Sequence, residues 1–94
     1  MQDLDQGLLK DFRKQVDKTG SGRFHDPQYP YAAVVEPSKN GHLIIIEDTR
    51  KLRFWRQVMK HEHPLEDHLE IADNGAVAAA IMILTLVIQG KLPL

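Results

Sequence analysis

The chain has 94 residues, enough for one domain and not two, and a domain this small hides only about 60–65% of the surface its unfolded chain exposes. Hydrophobic residues make up 43%, which excludes a disordered chain, and the net charge of −1 excludes a global field that would gather nucleic acid or an anionic membrane. Cysteine is absent, so disulfides and thiolate chemistry are ruled out and a reducing, cytoplasmic setting is expected.

Residues 3 to 18 read as an amphipathic helix. Asp3 suits the N-cap, with Gln6 three residues on as in a capping box, and Gly20 supplies the stop. Leu4, Leu8, Leu9, Phe12 and Val16 recur at three- and four-residue spacing and make one apolar stripe. The polar N-terminus, Met-Gln-Asp-Leu-Asp-Gln, does not read as a secretion signal. Residues 19 to 30 read as a loop, because Gly20, Gly22, Pro27 and Pro30 deny it regular structure.

Tyr31 to Glu36 and His42 to Glu47 read as two strands. The link between them ends in Asn40-Gly41, a hairpin signal because both residues tolerate positive φ. The triple isoleucine at 44–46 is β-branched and apolar on both faces, as in a central strand. Residues 48 to 51 form a second turn. Leu52 to Met59 fits either type. A helix gathers Leu52, Trp55, Val58 and Met59 on one side; a strand alternates Leu52, Phe54, Arg56 and Val58 with Arg53, Trp55, Gln57 and Met59. The short link from Ile46 and the aromatic pair favour the strand.

His61 to Glu70 is expected to be a polar loop opening a helix, with Pro64 at the first helical position and Glu66 and Asp67 in the positive first turn. Leu65, Leu69, Ala72, Ala76, Ala79, Ala80, Ile83 and Val87 form one stripe, although Asp73-Asn74-Gly75 argues for a break. No charge falls between Asp73 and Lys91. The apolar run from Ala76 to Ile88 would cover about 20 Å as a helix, too short for the ~30 Å core of a bilayer, so it reads as a buried helix.

The expected architecture is a single α+β domain over residues 1–94, in the order α-β-β-β-α. A three-stranded antiparallel meander is covered by an N-terminal amphipathic helix and an apolar C-terminal helix. The least apolar side of the last helix, at Ala78, Met82, Thr85 and Gln89, still offers little polarity. A helix this apolar should be covered all round, and one small sheet and one helix leave a side open. A homodimer or larger assembly is therefore expected, its interface at Met82, Thr85, Leu86 and Gln89.

Two clusters carry chemistry. The first is Arg50, Arg53, Trp55, Arg56 and Lys60, basic residues interleaved with aromatics. Tryptophan and arginine are the favoured anchors of protein contacts, and the same mixture serves single-stranded nucleic acid, with cations for phosphates and rings for stacking. The second is His61, His63 and His68. In an extended segment, His-x-His puts both imidazoles on one face, and a third ligand could complete a divalent metal site, although the spacing matches no strong signature. No catalytic constellation is present: Ser21 and Ser38 sit in turns without a nucleophile context. The reading is a small non-enzymatic accessory protein that binds a protein partner, with no membrane partner and no required cofactor. Nucleic-acid binding through residues 50–60 and metal binding through 61–68 are the alternatives.

Overall fold

The computed structural model describes residues 4–39, 41–64 and 72–92, with positions 63–64 and 72–74 described by backbone alone. The chain begins with helix α1, Gln6–Thr19, whose N-cap is Asp5. The Asp5 side chain accepts from the Leu8 N–H at 3.1 Å, while its own N–H donates to the buried Asp26 Oδ2 at 2.9 Å. That second bond holds Asp5 extended, so the cap falls here and not at Asp3, which lies outside the described residues. Gly20 closes the helix at φ 80°, its N–H donating to the Val16 carbonyl. Phe12 and Val16 are buried, and the Phe12 ring meets Phe24 at a centroid distance of 5.9 Å.

Four strands follow: β1 Gly22–Phe24, β2 Tyr31–Ser38, β3 Gly41–Asp48 and β4 Gln57–Pro64. They form one antiparallel sheet in sequence order, β1-β2-β3-β4. The α+β class and the meander stand, but the sheet has four strands and not three. The added strand, β1, lies inside the expected loop 19–30, where pairing with Ala33, Val34 and Val35 overrides the glycine punctuation. The β2–β3 hairpin is tighter than read from the sequence, since Ser38 already pairs with Gly41.

The expected strand 52–59 starts later than read: a short 3₁₀ turn, Arg53–Trp55, takes its first half, and β4 begins at Gln57 and runs on through His61 to Pro64. The polar loop and the helix start at Pro64 are thereby corrected. Pro64 is the last residue of an edge strand, a place where its missing N–H is tolerated. Pairing of β4 with β3 skips one residue at Val58, leaving a bulge there.

Helix α2, Ala72–Ile88, runs through 73–75 without the expected break. Burial of Ala76 and Val77 immediately afterwards outweighs the cost of about 1 kcal/mol for a helical glycine. Its end is a paired cap: the Gly90 N–H donates to the Val87 carbonyl and the Lys91 N–H to the Leu86 carbonyl, with Gly90 at φ 73°. No helix among the described residues is long and apolar enough to cross a membrane.

The core lies between the sheet and the two helices. Ala33, Val35, Ile44 and Ile46 face Val77, Ala80, Leu84 and Val87, with Phe12, Val16 and Phe24 completing it. Helix α1 packs on β1 and on α2, and α2 packs over β2 and β3. The other face of the sheet is open in the sense that, among the described residues, neither helix packs on it. There Arg23 Nε donates to Glu47 Oε1 at 3.2 Å, bridging β1 to β3 over β2.

Candidate functional site

The strongest surface feature is the connection from Asp48 to Gln57. Its ends are closed by the backbone: the Asp48 N–H donates to the Arg56 carbonyl at 2.8 Å, and the Lys51 N–H to the Asp48 carbonyl at 3.2 Å. Thr49 anchors it to the neighbouring connection, donating from both N–H and Oγ1 to the Pro30 carbonyl at 2.8 and 2.9 Å. Further out, the Trp55 N–H donates to the Leu52 carbonyl and Arg56 Nε to the Lys51 carbonyl.

Asp48 is the centre of this scaffold. Its Oδ1 accepts from the Arg50 N–H at 3.0 Å and from Nε at 2.9 Å, and its Oδ2 accepts from Nη2 at 2.9 Å. Side-chain bonding to Arg50 outweighs burial and pulls the Asp48 carboxyl down to about 2, while the same contacts raise the Arg50 guanidinium further above its ordinary value. The guanidinium also lies 5.5 Å from the Tyr31 ring centroid, and Nη2 donates to the Tyr31 hydroxyl at 3.3 Å.

This well-braced turn displays apolar side chains to water. Leu52 is 77% exposed, Phe54 93% and Trp55 71%. Lys51, Arg53 and Arg56 stand among them, and no acidic residue occurs between Asp48 and Glu62. Exposed large hydrophobics scattered singly are ordinary, but three within four residues on a braced turn form a ready-made contact.

Comparison of the chain with family models, curated proteins and solved structures finds no match in any of the three.

The residues singled out in the sequence separate into distinct places. Arg53, Trp55 and Arg56 are together on the turn, on the 3₁₀ segment and its cap and not on a strand. Arg50 is at the base, committed to Asp48. Lys60 belongs to β4 and pairs in register with Ile45, on the open face. His61 and His63 occupy alternate positions of β4, in backbone register with Ile44 and His42. His68 lies outside the described residues. Among the described residues no group of three His, Asp or Glu side chains is placed to hold a metal ion.

On α2 and just past its end, Ala78, Met82 and Gln89 are exposed, Met82 to 61%, and Thr85 and Leu86 are half-buried. The side read as least apolar is therefore the one that faces water. Thr85 Oγ1 donates to the Ile81 carbonyl at 2.8 Å, which satisfies its hydroxyl within the helix. Three residues of the turn were missed in the sequence. Leu52 and Phe54 read as one face of a strand, together with Arg56 and Val58, and Asp48 as a plain turn residue. The available signal was Asp48 two residues before Arg50, the spacing of an aspartate that binds its own turn.

Proposed function

We propose that the protein is a small, non-enzymatic cytoplasmic accessory protein that works as a homo-oligomer. It seats Leu52, Phe54 and Trp55 in an apolar groove of a protein partner while Lys51, Arg53 and Arg56 meet acidic groups at the rim. One observation carries this reading: three nearly bare large hydrophobics on a turn braced by Asp48.

The magnitudes support a contact of useful strength. Covering one leucine and two aromatic side chains removes on the order of 400 Å² of apolar surface, or roughly 10 kcal/mol gross at 25 cal/mol/Å². Much of that is offset by lost freedom on association, and a pre-ordered turn keeps that cost low. The braced geometry favours a shaped protein groove over a nucleic-acid strand, because Arg50 is held by Asp48 and the rings crown a turn instead of tiling a sheet.

The test uses the single tryptophan as its probe. A partner captured from the native host should shift Trp55 emission to the blue on titration. Phe54→Ala should weaken binding by at least about tenfold without changing the melting temperature. Added salt should change the affinity only modestly. A steep fall of log affinity with log salt, with equal binding to single-stranded oligonucleotides, would replace this reading with nucleic-acid binding. The same blue shift on anionic vesicles would replace it with a lipid surface.

A further inference from the structure

We propose that a second copy of the chain adds to the sheet at β4, antiparallel, with the two-fold axis at His61, turning two four-stranded sheets into one of eight strands. This rests on the homo-oligomer part of the proposed function and goes beyond it by naming the edge and the register.

Strand β4 is the outermost strand, paired with β3 on one side, and among the described residues nothing pairs with its other side. The helical cover sits over β1, β2 and β3, and β4 overhangs it. A cleft of about 460 Å³ opens between β4 and α2, lined by Met59, Lys60 and His61 of the strand and by Ala79, Met82, Ile83 and Leu92. An uncovered edge beside an apolar cleft is an invitation to strand addition.

The register follows from three constraints. The bulge at Val58 and the missing N–H of Pro64 leave Met59 to His63 as the regular, donor-bearing part of the edge, and its midpoint is His61. Next, alternate residues of a strand turn their N–H and C=O groups to opposite sides, so two identical strands related by a two-fold axis must have a residue on that axis. The central choices are therefore 60, 61 and 62. Finally, charge selects among them. An axis at Lys60 sets that lysine against itself, and one at Glu62 does the same to the glutamate. An axis at His61 sets Lys60 opposite Glu62 of the partner subunit, twice. Both residues are exposed and lie on the open face. The axis stands perpendicular to the sheet, so both helical layers fall on one side and the two apolar clefts open toward each other.

The chain has no cysteine, so single cysteines report the register without background. Sedimentation of the wild type should show a dimer. Residues directly opposite across such a pair have Cα atoms about 4.5–5.5 Å apart, inside the roughly 4.4–6.8 Å that a disulfide spans. His61→Cys should therefore form a covalent dimer in a glutathione buffer much faster than Lys60→Cys or Glu62→Cys. Lys60→Glu and Glu62→Lys should each weaken the dimer by about tenfold or more, and the double exchange should restore it. Preferential cross-linking at 60 or 62 would overturn the register. A dimer indifferent to both charge reversals and not linked through position 61 would overturn the β4 interface while leaving self-association intact elsewhere. A monomer at all concentrations would overturn this interface together with the homo-oligomer reading, whereas partner binding by the Leu52–Arg56 turn would stand.

Discussion

Asp48→Asn tests whether a charge holds the presenting turn in shape. The substitution keeps the size of the side chain and removes the carboxylate that three Arg50 groups bond. In the folded chain this carboxyl titrates at about 2 against an ordinary 3.8. A lowering of that size stabilises the ionised folded form by up to about 2 kcal/mol. The Arg50 side chain is 63% exposed, so water screens the pair and about 1 kcal/mol is the expectation. The direction with pH follows from the lowered value. The unfolded chain holds this proton more tightly, so the stabilisation is full above about pH 4, fades as pH falls, and is gone below about pH 2. Urea unfolding at pH 7 should show the variant less stable by about 1 kcal/mol, and the two curves should converge near pH 2. A gap of equal size at both pH values, or none at pH 7, would refute the idea that ionised Asp48 braces the turn.

Other substitutions separate core from surface. Phe12→Ala should cost about 3–5 kcal/mol, since the ring is 1% exposed against Phe24, and circular dichroism should show much of the chain unfolded at 37 °C. Gly20→Ala should lower stability by about 1 kcal/mol in a thermal melt. The nearest atom to an added Cβ is Pro37 Cβ at 4.0 Å, so the cost is the φ of 80° and not crowding. Phe54→Ser should leave stability within about 0.5 kcal/mol and reduce binding of a hydrophobic dye. A clear loss of stability there would mean that the turn is packed and not displayed.

Much of the fold could be read in the chain because its long elements have clean periods. The Leu8-Phe12-Val16 stripe, the triple isoleucine and the small-residue seam of Ala76 and Ala80 each specify a buried face. Strand β1 was illegible because three residues, of which only Phe24 is apolar, carry no period. Strand β4 was legible only at its start, where Gln57 to Met59 fall inside the expected strand. At the sheet edge and beyond the helical cover, Lys60, His61 and Glu62 need no apolar alternation, so the rest of the strand reads as a loop. The turn was half legible. Its composition pointed to a contact surface, but the exposure of Leu52, Phe54 and Trp55 depends on the bonds of Asp48 and Thr49, which no spacing of hydrophobic residues reveals.

The sequence-order sheet has a consequence for how the chain is born. Each strand pairs with one already made, so β1 to β4 can assemble as they leave the ribosome. The residues that cover Ile44 and Ile46 belong to α2 and follow later. At 5–20 residues per second, synthesis from Pro64 to Ile88 takes roughly 1–5 s. During that window a paired sheet shows a bare isoleucine face and an open edge to its surroundings. The danger of misassembly for this protein is concentrated there, and the speed with which α2 docks governs how much of each nascent chain escapes it.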